Sequence, residues 1–173
     1  MGLFSSKPKN QIPPFPKLPE LSFVLSGKEY WLGMSVAESC LKFQKEKDAK
    51  KILKGNKHTS YPVAWMEDIY GNKFRVGFIN RGVEPIEYRH ADIAFIVLPL
   101  EDGDIKRSHI QFFEQLPGTS SLEDFFQAFK KHSDFHCTEV EDCCYIFDNK
   151  ISDVSFSVNE YDELVEVQYN SYW

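Results

Sequence analysis

Two rhythms of apolar and polar positions run along this chain from Leu21 onward. Alternation with a period of two marks Phe74/Val76/Phe78, Val154/Phe156/Val158 and Val165/Val167/Tyr169, and predicts antiparallel sheet with one buried and one wet face. Leu122, Phe125, Phe126 and Phe129 instead follow the three-four spacing of a helix that buries one side. Ile93 to Leu98 is apolar throughout and predicts a central strand.

The elements recur in the same order. Phe23 to Leu32 is a strand-like lead-in to Gly33-Met34-Ser35-Val36-Ala37-Glu38, and Ile105 to Leu116 leads into Gly118-Thr119-Ser120-Ser121-Leu122-Glu123. In both, Ser-x-x-Glu predicts a capping box: the Ser oxygen accepts an N–H of the first helical turn and the Glu reaches back to the cap residue. Three apolar stretches follow each box: Tyr61 to Tyr70, Lys73 to Asn80 and Asp92 to Leu98, then Asp142 to Phe147, Ile151 to Val158 and Leu164 to Tyr169. Gly71-Asn72 predicts a two-residue hairpin turn. The expected fold is α+β: two tandem strand-helix-three-strand units, with helices packed on one face of an antiparallel sheet.

Residues 1–20 stand apart, with Pro8, Pro13, Pro14, Pro16 and Pro19 fixing an extended tail. Pro13-x-x-Pro16 and Pro16-x-x-Pro19 are compatible with an aromatic groove of the SH3 type. The favoured reading drapes the tail over its own domain through Ile12, Phe15 and Leu18. The first unit then spans 21–100 and the second 105–173. The first carries a lysine-rich insertion, 42–58, expected to extend its helix to Leu53 with Gly55-Asn56 as the stop. Lacking an aromatic platform beyond Phe43, this insertion reads as a solvated face, and nucleic acid is not an expected partner.

Charge divides the chain. Residues 1–90 hold fifteen Lys/Arg against nine Asp/Glu, whereas 91–173 hold five against seventeen. The second half therefore suits a partner with a basic surface. Cys40, Cys137, Cys143 and Cys144 read as reduced, mostly buried side chains, since adjacent Cys143 and Cys144 point to opposite faces of a strand. With no apolar stretch of membrane-spanning length and no signal-peptide core, the expected location is cytoplasmic. Gly2 and Ser6 match the N-myristoylation pattern, and Lys7, Lys9 and Lys17 would supply the accompanying charge.

Catalytic chemistry has little to build on. No nucleophile elbow, phosphate-cradling glycine loop, zinc-protease or dinucleotide motif occurs, so no catalytic residue and no cofactor is expected. His132, His136, Cys137, Cys143 and Cys144 are the densest set of zinc-type ligands, yet they lack a C-x-x-C pair, and no metal is expected there.

The doubled unit resembles the β-lactamase-inhibitor-protein-like fold and the related domain of small outer-membrane-assembly lipoproteins. Gly33, Ser35 and Glu38, then Gly118, Ser120 and Glu123, with the strands after them, carry the likeness. It implies a protein-binding role, with the solvent face of the sheet as the contact surface. The expected function is accordingly a non-catalytic protein-binding module, of an inhibitor or immunity type. Aromatics make up 15% of the chain, and the acidic, aromatic stretch Tyr161, Asp162, Glu163, Glu166, Tyr169, Tyr172 and Trp173 is the expected contact. The alternatives are a membrane-peripheral adaptor using the tail and the insertion, and a thiol or zinc enzyme built on the His/Cys set.

Overall fold

The structure, a computed structural model, describes residues 13–45, 47–48, 62–79, 90–101, 105–132, 134–141 and 143–172. Gly2, Ile12, Trp173 and most of the predicted helical extension to Leu53 lie outside the described residues.

The predicted lead-in strand Phe23 to Leu32 is a hairpin, β1 (Ser22–Leu25) and β2 (Lys28–Trp31). Ser26 and Gly27 both have positive φ (51° and 84°), the signature of a two-residue primed turn whose twist matches that of the strands. After α1 (Val36–Ser39) come β3 (Lys42–Phe43), β4 (Val63–Glu67), β5 (Lys73–Ile79) and β6 (Asp92–Pro99). The second lead-in is not one strand either: a 3-10 turn at Arg107–His109 precedes β7 (Ile110–Gln111), and after it the chain turns at Phe113–Gln115, where Glu114 and Gln115 take left-handed φ. Next follow α2 (Leu122–Lys130), β8 (His136–Glu141), β9 (Cys144–Asp148), β10 (Ser152–Val158) and β11 (Leu164–Ser171).

An eight-stranded antiparallel sheet runs in the order β3-β4-β5-β6-β11-β10-β9-β8, and a three-stranded sheet in the order β2-β1-β7. The all-apolar β6 lies in the middle of the large sheet, against β5 and β11. Four strands, not the expected three, follow each helix, because a short polar edge strand, β3 or β8, adds to each set; the two meanders, β3 to β6 and β8 to β11, meet along their last strands. The small sheet and α2 cover the same face of the large one. Phe23 stacks on Tyr30 and on Tyr169 of β11 and meets Phe74 of β5 edge-on. Phe125 and Phe129 of α2 stack on Phe156 and Phe147, at 4.6 and 4.9 Å between ring centres. Truncating any of these buried rings is expected to cost about 3–5 kcal/mol.

Several local expectations shift. Ser35 caps α1 by accepting from the Glu38 N–H, but α1 ends after one turn, because Cys40 is left-handed (φ 57°) and the chain turns into β3. In α2 the cap is Ser121, one residue later than Ser120, and its box partner is Asp124 rather than Glu123. The cause is a turn from Pro117 to Ser120, closed by the Ser120 N–H on the Pro117 carbonyl, which delays the helix by one position. Cys40, Cys137 and Cys143 are exposed and Cys144 half-buried, not core residues, since they stand at a cap, on an edge strand and at a strand start. The described part of the tail, 13–20, drapes over the domain: Phe15 and Leu18 pack against the core, and the Lys17 ammonium sits 4.1 Å over the Trp31 ring and 2.7 Å from Glu29. Gly33 (φ 90°) would place a Cβ only 3.0 Å from Phe15, so the strap needs glycine there.

Candidate functional site

The β4–β5 connection is a five-residue loop, Asp68-Ile69-Tyr70-Gly71-Asn72, rather than the predicted two-residue turn. Its first side chain organises it. Asp68 Oδ1 accepts from the N–H groups of Tyr70 (2.8 Å) and Asn72 (2.9 Å), two and four residues on. The Asp68 N–H donates to the Asn72 carbonyl, the Gly71 N–H donates to the Asp68 carbonyl, and Gly71 is left-handed (φ 84°).

The β10–β11 connection, Asn159-Glu160-Tyr161-Asp162-Glu163, repeats this bond for bond. Asn159 Oδ1 accepts from Tyr161 (3.0 Å) and Glu163 (3.1 Å), again two and four residues on. The Asn159 N–H donates to the Glu163 carbonyl, the Asp162 N–H to the Asn159 carbonyl, and Asp162 is left-handed (φ 59°). Short polar side chains at a loop start do this because their oxygen mimics a backbone carbonyl and satisfies donors the ladder cannot reach. In both loops the third residue is a tyrosine pushed outward.

Strand register puts both loops at one end of the large sheet. Arg75 pairs with Val97, Pro99 with Glu166 and Ser157 with Glu166, so the start of β5, the end of β6 and the start of β11 coincide. Three strand spacings separate the two hairpins, about 14 Å. Tyr161 (74% exposed), Ile69 (61%) and Tyr70 (58%) are the three most exposed large apolar side chains among the described residues. Each loop is braced from behind. Asn72 Nδ2 donates to Asp68 Oδ2 and to Ser26 Oγ of the β1–β2 turn. Glu163 accepts from Asn159 Nδ2 (3.1 Å) and from Arg107 Nη2 (3.2 Å), and these two contacts, the Asn159 bond first, hold its carboxyl below the ordinary glutamate value. Below the first loop the Tyr30 hydroxyl is buried beside the Asp68 carboxylate; burial, then the Asp68 charge, pushes that phenol up.

The residues expected at the contact surface therefore separate. Tyr161, Asp162 and Glu163 form the second loop, and Glu166 follows at the start of β11. Tyr172 lies beyond the opposite end of β11, about 27 Å away along the strand. Tyr169 is 1% exposed and stacked on Phe23, so it is a core residue and not part of any contact surface. Trp173 lies outside the described residues. Ile69 and Tyr70 escape a reading based on charge and alternation. The spacing Asp/Asn-x-Tyr marks both loops, at 68–70 and 159–161, but it also occurs at 170–172 at the end of β11, so the strand context is needed to tell the loops apart.

The zinc-type set is dispersed. Both ring nitrogens of His132 lie 3.3 Å from carboxylates, Nδ1 from Glu20 and Nε2 from Glu114. His136 and Cys137 open edge strand β8, whereas Cys143 and Cys144 sit at the far end of the β8–β9 hairpin. Among the described residues no group of three or more His, Cys, Asp or Glu side chains is arranged to hold a metal ion. A cleft of about 650 Å³ at the end opposite the twin loops is walled by Leu18, Asp134, His136, Asp148 and Lys150. Among the described residues no helix is long and apolar enough to cross a membrane.

No protein family, curated protein or solved structure matches the chain.

Proposed function

We propose that this protein is a non-catalytic binding module, of an inhibitor or immunity type, that grips another protein through the loop end of its large sheet. One observation carries the reading: two loops with the same internal hydrogen bonds each hold a tyrosine outward at the same end. A tyrosine on a braced loop offers a large contact area with little conformational entropy left to lose, which is the economy of binding loops in general. Glu160, Asp162 and Glu163 make the second loop acidic, so the partner presents a basic surface around an apolar centre.

The module acts in the cytoplasm, with its cysteines as thiols, and its two meanders derive from a duplicated α+β unit of the β-lactamase-inhibitor-like kind. Supporting the duplication are the mirrored strand order of the large sheet and the glycine that leads into each helix; Gly118 would place a Cβ 2.5 Å from the Arg107 carbonyl and so admits no larger residue.

The test is affinity capture from the native host with three baits: the full chain, a Tyr70→Ala/Tyr161→Ala variant and a Lys130→Ala control. A stoichiometric basic protein held by the full chain and the control, and at least about tenfold more weakly by the double variant, is the expected result. Absence of a stoichiometric protein, or equal capture by the double variant, removes the reading.

A further inference from the structure

The second face of the eight-stranded sheet has no layer over it among the described residues. Cross-strand register lays its side chains out in rows. One row reads Val63, Gly77, Phe95, Asn170, Asp153, Asp148 from β4 to β9; the next reads Trp65, Arg75, Val97, Gln168, Ser155, Ile146. Trp65 is 41% exposed, a large ring facing solvent in the middle of a strand.

Charge on this face is split between its halves. On β3 to β5 stand Lys42, Lys73 and Arg75, with Glu67 between its cross-strand neighbours Lys42 and Lys73. On β9 to β11 stand Asp148, Asp153 and Glu166. Asp148 and Asp153 are direct cross-strand partners, a like-charge pairing that costs free energy unless a cation relieves it. A face that is basic on one side and acidic on the other is complementary to itself after a half-turn about an axis parallel to its strands.

We propose that a second copy of this chain docks on this face about such an axis, through the seam between β6 and β11. The rotation sets β4 over the partner copy's β9, β5 over β10 and β6 over β11. Trp65 then covers Ile146, Arg75 lies over Ser155 within reach of Asp153, and Lys73 lies over Ser157 beside Glu166. Gly77, without a side chain, leaves room opposite Asp153. The six strands β4 to β9 at about 4.8 Å give a footprint about 24 Å wide and about 17 Å deep, and the two-residue β3 against β8 adds little, so the two copies bury very roughly 950 Å², within the range of weak, transient interfaces. The expected dimer is therefore weak and salt-sensitive.

Sedimentation of the full chain, from low micromolar to several hundred micromolar, decides the matter. The expected result is a monomer–dimer equilibrium whose dissociation constant rises at least about tenfold in Trp65→Asp and in high salt. Lys73→Glu and Glu166→Lys should each weaken the dimer, and mixing the two variants should restore it. That restoration also shows that both variants are folded. Tyr70→Ala/Tyr161→Ala should leave the dimer unchanged, which separates this surface from the loop end. A monomer at every concentration, a dimer untouched by Trp65→Asp, or a mixture no tighter than the single variants overturns the proposal.

Discussion

The two tyrosine-bearing loops reach one backbone geometry from different residues. In the first, a buried carboxylate, Asp68, holds the turn, glycine takes the left-handed position, and Asn72 ties the loop to Ser26 of the small sheet. In the second, a neutral Asn159 does the holding, Asp162 takes the left-handed position, and a surface ion pair from Arg107 to Glu163 supplies the brace. A conformation set by two N–H groups needing an acceptor is open to any short side chain bearing an oxygen. What differs is cost: the first loop depends on a desolvated charge, the second on an exposed amide.

That difference is measurable. Asp68→Ala removes three hydrogen bonds to a buried charge, and a loss of about 3 kcal/mol is expected in urea unfolding. Asn159→Ala should lose about 1 kcal/mol in the same assay, and equal losses would show that burial does not distinguish the loops. At the left-handed positions the signs should oppose. Gly71→Ala meets no atom within 4 Å, so its loss of about 1 kcal/mol comes from φ alone. Asp162→Gly should gain about 0.5 kcal/mol in thermal unfolding, the relief of φ being partly offset by a freer unfolded chain.

The smallest expected effect is the pH dependence. The folded-state carboxyl of Glu163 lies below its ordinary value of 4.5, so its contribution is complete above that value and is lost as pH falls through the folded one. Asp153 has the opposite sign: burial first, then the Asp148 charge, raises it above the ordinary 3.8, against the lowering effect of its Asn170 and Tyr172 hydrogen bonds. Its native form binds more protons than the unfolded chain just above that value, so stability falls as pH rises through this window. NMR titration of the two carboxyl carbons should show shifts in opposite directions from those ordinary values. Asp153→Asn should abolish its part of the pH slope while keeping the Asn170 contact.

Local order was legible wherever a side chain's environment depends on its strand alone. The alternation in β5 and β10 and the apolar run of β6 located those strands to within a residue or two. Tyr169 shares its parity with Val167 and so belonged inside on the same argument that found the strand. Edge strand β8 left no such trace. It pairs on one side, carries a bulge between Cys137 and Glu139, and has a polar sequence, His-Cys-Thr-Glu-Val-Glu. At the start of α2 two serines stand side by side, and the Pro117–Ser120 turn, not the local sequence, selects Ser121 as the cap.

By itself the sequence determined β5, β6, β10, β11 and helix α2, the proline-rich character of the tail, the acid-rich second half and one of the two exposed tyrosine loops, because periodicity, proline and charge act over a few residues. Tertiary structure alone decided that β6 and β11 join the meanders, that Tyr70 stands at the same end as Tyr161, and that acids and bases divide the second face of the large sheet. Those facts follow from hydrogen-bonded register between segments some seventy residues apart, and no local pattern encodes which strand lies beside which.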